Sequence, residues 1–154
     1  MAAIAFGIAI YANISHAQKP LAIGVPVLIY HKISTSTSDL PDEMSISLTR
    51  FKDQIDFLKK QGYTTLSISE LVLVMKRKLP LPQPAVVISL DDGWKSQLLA
   101  AEVLKNEGFK ATWSIITDRP ASSDPWQQTN YMNWTEIISL SENIKFEFAS
   151  HTVT

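Results

Sequence analysis

The stretch Ala85-Val-Val-Ile-Ser-Leu-Asp-Asp-Gly93 decides how the chain folds. Its first six residues are apolar almost throughout, which is typical of a strand buried on both faces, as in a parallel sheet. Asp91 and Asp92 follow that strand directly, and Gly93 allows a turn with positive φ. In parallel α/β folds, functional side chains gather where strands end at their carboxyl side. The stretch therefore predicts a buried parallel strand that carries two carboxylates to the functional edge of a sheet.

Short apolar runs and helical patterns alternate on both sides of this strand. Further strands are predicted over residues 25–30, 63–66, 111–117 and 146–149. Apolar residues at spacings of three and four predict four helices. In chain order their apolar residues are Leu48, Phe51, Ile55 and Leu58; Ile68, Leu71, Val72 and Met75; Trp94, Leu98, Ala101 and Leu104; and Trp134, Ile137 and Ile138. Those of the second helix are predicted to point inward. This alternation implies parallel βαβ units, which an open doubly wound sheet and a (β/α) barrel both satisfy. The polar stretches 34–47 and 118–132 are predicted to be long loops.

The composition indicates one domain with balanced charge. The 154 residues are 45% hydrophobic, which is long enough for one core and too short for two ordinary domains. Fourteen basic and fifteen acidic residues give a formal net charge of -1. No nucleic acid partner is expected, because binding it calls for a strongly basic face. The absence of cysteine excludes disulfides, thiolate metal sites and a catalytic thiol.

The N-terminus resembles a secretory signal peptide. Residues 2–12 are almost wholly apolar, and Ser15 and Ala17 place small residues at positions −3 and −1 of a cleavage site before Gln18. The apolar run is shorter than the ~20 residues that cross a bilayer, so no stable membrane span is expected. We therefore predict a signal peptide over residues 1–17 and a secreted, periplasmic or envelope-associated domain over 18–154. The alternative is that the apolar run forms the first buried strand or helix of the domain.

His151 follows the last predicted strand, just as the two aspartates follow theirs. Because parallel strands end at one edge, these side chains are expected to lie close together. A carboxylate and an imidazole there suit a divalent cation such as zinc, and Asp91 could act as a base toward water whose pKa that cation lowers. Taken singly, Asp-Asp-Gly is also an ordinary turn, and a lone histidine usually has a structural partner. Their joint placement favours a site.

Both motifs resemble those of the polysaccharide deacetylases, also called the NodB-homology domain or carbohydrate esterase family four. Ser89-Leu-Asp-Asp-Gly93 is similar to the family's Thr-Phe-Asp-Asp-Gly motif, and Ser150-His-Thr-Val-Thr154 to the beginning of its His-Ser/Thr-x-x-His motif. The resemblance covers residues 25–154 and is nearest to the branch that acts on poly-N-acetylglucosamine. The other agreeing segments are Pro26-Val-Leu-Ile-Tyr-His-Lys32, Phe51 with Gln54, Gly62-Tyr63, Asp92-Gly-Trp94 and Gly108-Phe-Lys-Ala-Thr112.

The resemblance implies a fold, a reaction and roles for three residues. The fold is a distorted (β/α) barrel, of which this chain would supply the N-terminal portion. The intact protein would be a metal-dependent hydrolase that removes N-acetyl groups from a GlcNAc-containing polysaccharide, such as poly-N-acetylglucosamine, a chitin-like polymer or the peptidoglycan glycan. Asp91 corresponds to the catalytic base, and Asp92 and His151 correspond to metal ligands. Zinc is the expected metal, with cobalt or nickel as alternatives.

The family's third metal ligand is a histidine four residues after His151, which would fall one residue beyond Thr154. The family's later motifs, including its general-acid histidine, would lie further on. Catalytic zinc normally has three protein ligands, and the chain offers two. The chain is therefore expected to be truncated at its C-terminus, to bind metal poorly and to show no useful deacetylation by itself.

Two residues are candidates for substrate contact. His31 ends the first predicted strand and could line the substrate groove. It could equally be a loop histidine that is hydrogen-bonded to the backbone. Trp126 lies in a polar stretch and is the better candidate for contacting a glycan, whereas Trp94 and Trp113 are expected in the core. Two other functions stay open: an O-acetyl esterase acting on a xylan-like polymer, and a non-catalytic glycan-binding module without metal.

Overall fold

A computed structural model describes residues 24–37 and 42–154 of the chain. Its strands are, in chain order, β1 (Val27–Tyr30), β2 (Lys32–Ser34), β3 (Ser45–Ser47), β4 (Thr64–Leu66), β5 (Ala85–Asp92), β6 (Ala111–Ile115) and β7 (Phe146–Ser150). Its helices are α1 (Leu48–Lys60), α2 (Ile68–Met75), α3 (Gln97–Glu107), α4 (Pro125–Asn130) and α5 (Trp134–Ser141), with a 3₁₀ helix at Arg119–Ala121. None of the helices in these two ranges is long and apolar enough to cross a membrane. The signal peptide predicted over residues 1–17 lies outside the described residues.

Five of the described strands form one parallel sheet with β5 at its centre. Val87 pairs with both β1 and β4, so these two strands flank opposite sides of β5. Ser89 pairs with both β1 and β6, which places β6 on the β4 side, and β7 lies beyond β6. β2 and β3 form a separate parallel pair. The prediction of parallel βαβ units is confirmed, and the described part of the sheet is open between β1 and β7.

One face of the sheet carries the main hydrophobic core. Alternate residues of β5 point to this face, and Val86, Ile88 and Leu90 are almost fully buried there. Burial of such a side chain stabilises the fold by roughly 1.5–3 kcal/mol. The same cluster contains Phe51 and Ile55 of α1, Leu104 of α3 and Trp113 of β6. The predicted core positions of Phe51, Ile55 and Leu58 in the first helix and of Ala101 and Leu104 in the third are therefore confirmed, as is the burial of Trp113.

α2 covers the opposite face of β5 near the N-terminal end of that strand. Its orientation differs from the prediction. Leu71 packs against the small apolar cluster there, but Met75 is 74% exposed and Val72 is 40% exposed. The reason is a set of hydrogen bonds at the helix N-terminus, where the amide of Ile68 donates to Thr112 and that of Ser69 donates to Glu147. These polar contacts fix the rotation of α2 and leave much of its apolar surface outside. The inward orientation predicted for Ile68, Val72 and Met75 is wrong.

The two polar stretches predicted as long loops contain short regular elements. Residues 34–47 include β3, which pairs with β2, and residues 118–132 include the 3₁₀ helix and α4. α4 begins with a capped turn, because Asp124 accepts a hydrogen bond from the amide of Gln127 while Pro125 occupies the first helical position. The Asp-Pro pair was a local signal for a helix start in the second stretch.

Candidate active site

Two carboxylates and one imidazole converge at the carboxyl end of the sheet. A regular strand would point Asp91 and Asp92 to opposite faces. Asp92 instead has φ +75°, a left-handed conformation that is uncommon for a residue other than glycine. Oδ2 of Asp91 then lies 3.8 Å and Oδ1 of Asp92 3.7 Å from Nε2 of His151. The strained backbone at Asp92 therefore brings both carboxylates to one histidine, and such strain concentrates at functional sites.

The backbone on either side of these residues holds the arrangement. Gly93 has φ +83°, and a Cβ there would lie 3.1 Å from a methyl carbon of Ile115, so glycine fits both the conformation and the space. The amide of His151 donates a 2.7 Å hydrogen bond to the carbonyl of Ile115, which extends the pairing of β6 and β7 by one residue. His151 is thus positioned by the sheet although it lies just beyond β7.

Asp91 is fixed by two donors. The hydroxyl of Ser89 donates to Oδ1 at 2.6 Å, so the serine that stands in place of the family's threonine supplies a hydroxyl here. The fully buried amide nitrogen of Gln97 donates to the carbonyl of Asp91 at 2.5 Å and to that of His31 at 2.9 Å. Gln97 therefore ties the ends of β1 and β5 together. Sequence reasoning missed Gln97, although a glutamine on the buried face of α3 was a usable signal.

Asp92 is held by an aromatic cluster. Nε1 of Trp94 donates a 3.0 Å hydrogen bond to Oδ2 of Asp92. The ring of Tyr131 stacks on Trp94 with centroids 4.2 Å apart, and Nζ of Lys32 lies 4.2 Å from the Trp94 centroid. Because Tyr131 fills one face of the indole, the ammonium covers the other. Trp94 precedes α3 and is half-buried beside the site, so the expected core position for it is wrong.

The two predicted substrate residues lie on the same side of the molecule as the carboxylates. His31 follows β1, and its carbonyl shares the Gln97 amide with the carbonyl of Asp91. Trp126 of α4 is 58% exposed and makes edge contacts with Trp94 and Tyr131, at centroid distances of 6.1 Å. Burial raises the pKa of the Tyr131 hydroxyl; Arg119 opposes this shift, and Asp92 and Asp118 add to it, so the hydroxyl stays neutral at physiological pH.

The residues at this site fit part of a metal centre. Two atoms that bind the same zinc ion, each at about 2.1 Å, can be at most about 4.2 Å apart. Oδ1 of Asp92 and Nε2 of His151, which are 3.7 Å apart, satisfy this limit. Their types, a carboxylate oxygen and an imidazole nitrogen, are ligands that zinc accepts. Within residues 24–37 and 42–154 no group of three or more such side chains is arranged to hold a metal ion. The described residues therefore present two potential ligands, Oδ1 of Asp92 and Nε2 of His151, and no complete set for a cation.

Solved structures share this fold. The chain superimposes on a de-N-acetylase from Aggregatibacter actinomycetemcomitans with a TM-score of 0.73 at 22% identity, over 84% of this chain and 55% of that one. IcaB from Ammonifex degensii gives 0.72 at 23% identity, over 84% and 53%. The polysaccharide deacetylase BC0361 from Bacillus cereus gives 0.68 at 27% identity, over 84% and 39%.

Curated sequences agree with the structural likeness, although no protein-family model matches the sequence. Poly-beta-1,6-N-acetyl-D-glucosamine N-deacetylase of Escherichia coli (strain K12) is 25% identical over 139 residues, which are 84% of this chain and 20% of that protein. YxkH of Bacillus subtilis (strain 168), which is named after the polysaccharide deacetylases, is 31% identical over 100 residues, 64% of this chain and 33% of that protein.

The chain is similar in sequence and in fold to polysaccharide deacetylases. It spans about a fifth to a third of the length of the curated relatives it matches. The predicted resemblance to polysaccharide deacetylases and the predicted α/β fold are confirmed. The roles of Asp91 as base, of Asp92 and His151 as ligands, and of His31 and Trp126 in substrate contact stay predictions, although the structure brings all five to one side of this deacetylase-type fold.

Proposed function

We propose that the protein is a hydrolase that removes N-acetyl groups from a GlcNAc-containing polysaccharide, by cleaving a carbon–nitrogen bond other than a peptide bond. The observation that carries this proposal is the convergence of Asp91 and Asp92 on Nε2 of His151, within 3.8 Å, at the carboxyl ends of β5 and β7. The names of the relatives favour an amide substrate over an ester and poly-β-1,6-N-acetylglucosamine over other polymers. The substrate class therefore follows from the relatives and the chemistry from the site.

Asp92 and His151 would hold a divalent cation through Oδ1 and Nε2. Zinc is the first choice because the ligand types suit it, and cobalt or nickel can take the same ligands. When bound, the cation supplies Lewis acidity, which polarises the acetamide carbonyl and lowers the pKa of a water molecule. Trp94 orients the ligand carboxylate, because it occupies Oδ2 and leaves Oδ1 toward His151.

Asp91 would act as the base. Ser89 holds Oδ1 and Gln97 holds the main-chain carbonyl, so Oδ2 is the atom directed toward the site. Water oxygen forms a bond to the acetamide carbonyl carbon while its proton passes to Oδ2 of Asp91. The C–N bond of the tetrahedral intermediate then breaks as its nitrogen takes up the proton held by Asp91, which releases acetate and the glucosamine amine and leaves Asp91 charged again. A charged and oriented Asp91 is therefore required for turnover.

His31 and Trp126 would contact the glycan. His31 lies at the end of β1, next to the strand that carries Asp91, and is partly exposed. Trp126 presents an exposed indole 6.1 Å from the ring that bonds to Asp92. Because the substrate is an exported or cell-wall glycan and residues 1–17 have a signal-peptide pattern, the protein would act outside the cytoplasm, in the periplasm or cell envelope, or as a secreted enzyme.

The test compares acetate release by the protein as its gene encodes it, with zinc added, from β-1,6-linked GlcNAc oligomers and from acetylxylan. We expect release from the GlcNAc oligomers and a loss of at least 100-fold in Asp91→Asn, since a general base contributes 10²–10⁴-fold. Asp53→Asn, on the exposed side of α1, is the matched control and should change nothing. Faster release from acetylxylan would favour an esterase, and near-normal turnover in Asp91→Asn would refute the assignment of the base.

A further inference from the structure

A cleft of about 760 Å³ opens beside the proposed metal site and shares the Trp94 side chain with it. Its walls come from β2, the turn before α3 and helix α4, and include Lys32, Thr35, Asp42, Trp94, Trp126 and Asn130. We propose that this cleft is a sugar subsite, which binds one neutral pyranose residue of the glycan next to the residue being deacetylated, with Trp126 as its stacking platform. The inference rests on the proposed function, because it extends the substrate of that same site.

Trp94 cannot be the platform, although it is nearest to the carboxylates. Tyr131 stacks on one face of its ring at 4.2 Å, and the Lys32 ammonium covers the other face at the same distance. Its N–H is committed to Asp92. A sugar could therefore meet only an edge of Trp94, and the role of this ring toward the glycan is to support Trp126.

Trp126 has the properties that a sugar platform needs. Its ring stands nearly perpendicular to both neighbours, at 88° to Trp94 and at 70° to Tyr131, so it stacks on neither of them, and it is 58% exposed. Its carbonyl accepts a 2.8 Å hydrogen bond from the side chain of Asn130, which holds the backbone of α4 at this point. The C–H face of a pyranose is apolar, and covering an exposed indole with it removes apolar surface of both from water. A ring that is already held loses little freedom when the sugar binds.

The rest of the cleft offers polar groups that can hydrogen-bond to a ligand. Their charges are paired, so the cleft has no net charge that would select an ion. Lys32 and Asp42 form an ion pair, and Lys95 is paired with Glu136. An ammonium, a carboxylate and the hydroxyl of Thr35 together provide donors and acceptors for sugar hydroxyls. The volume is within the range of ligand sites, about 300–1,000 Å³. Aromatic surface, paired charges and this size fit an uncharged, hydroxyl-rich ring better than a phosphate or a peptide.

The experiment measures the Kd of β-1,6-linked GlcNAc oligomers, from one to six residues, by isothermal titration calorimetry on the Asp91→Asn protein, which does not consume them. We expect affinity to rise with length beyond one residue and Trp126→Ala to weaken binding of the longer oligomers about five- to tenfold. Trp126→Phe keeps a ring and should restore most of the affinity. Trp134→Ala is the matched control, because Trp134 is 45% exposed on α5 and does not line the cleft.

The subsite is overturned if Trp126→Ala binds the longer oligomers as tightly as Trp134→Ala does, or if affinity does not depend on length. Failure of the proposed function is a different result, namely absence of acetate release from every GlcNAc oligomer by the parent protein. Length-dependent binding that needs Trp126, without acetate release, would leave the subsite standing and refute the deacetylase. Acetate release with no effect of Trp126→Ala on Kd would leave the deacetylase standing and refute the subsite.

Discussion

Nε1 of Trp94 donates a 3.0 Å hydrogen bond to one oxygen of Asp92, while the other oxygen faces Nε2 of His151 at 3.7 Å. The two oxygens of this carboxylate therefore have different surroundings, one occupied by a neutral donor and one directed at a second potential ligand. Groups that orient a metal ligand typically affect metal affinity 10–100-fold. Trp94 thus connects the aromatic cluster to the proposed cation site.

Trp94→Phe is expected to weaken zinc binding about tenfold or more, because it keeps the stacked ring and removes the only N–H of the side chain. The measurement is a zinc titration by calorimetry on the protein as its gene encodes it. Trp134→Phe, which changes an exposed indole on α5, should leave zinc affinity unchanged. Equal zinc affinity in the two variants would mean that the Trp94 hydrogen bond does not position Asp92.

Gln97→Met is expected to lower the free energy of unfolding by about 1–3 kcal/mol. Methionine has a similar volume, but the carbonyls of His31 and Asp91 would lose their common donor in a buried place. Urea unfolding measures the difference, with Gln61→Met at the exposed end of α1 as the control. An unchanged midpoint for Gln97→Met would show that the bridge between β1 and β5 contributes nothing to stability.

The parts of the fold that could be predicted from sequence are those with a local cause. The apolar run before Asp91, the periodicity of α1 and the Ser67–Glu70 capping box each act over a few residues, and the structure contains all three. The orientation of α2 could not be predicted in this way. It depends on hydrogen bonds from the amides of residues 68 and 69 to side chains 44 and 78 positions further along the chain.

The candidate site also has a part that could be predicted from the sequence and a part that could not. Placement of Asp91, Asp92 and His151 at strand ends follows from parallel topology, so their proximity could be anticipated. The left-handed backbone of Asp92 and the contact of Trp94 with Tyr131 could not, because each depends on how the segments after β5 and before α5 meet. The candidate residues could therefore be named from the sequence, but the contacts that hold them in place could not.

Glu147→Gln is expected to reduce stability at pH 7 by about 1 kcal/mol and to make no difference near pH 3. Burial tends to raise the pKa of Glu147, but hydrogen bonds from Ser69, Ser67 and Thr112 outweigh it and hold that pKa below its usual value. A lowered carboxyl pKa contributes stability above the unfolded value, about 4.3, which is lost as pH falls through the folded value. Urea midpoints across pH 3–7 measure this, with Glu102→Gln on the exposed side of α3 as the control. A pH-independent difference would contradict it.

Gly93→Ala is expected to lower the free energy of unfolding by about 1–3 kcal/mol and to weaken zinc binding. The residue has φ +83°, where a Cβ is strained, and that Cβ would sit 3.1 Å from a methyl carbon of Ile115. Relief of the clash would shift the turn that carries Asp92, so stability and ligand geometry should change together. Gly24→Ala is the matched control, because a Cβ there meets no atom of the described residues within 4 Å. Urea unfolding and zinc titration of both variants measure these effects. If the Gly93→Ala protein is as stable as the Gly24→Ala protein and binds zinc with unchanged affinity, the turn tolerates a side chain and does not set the position of Asp92.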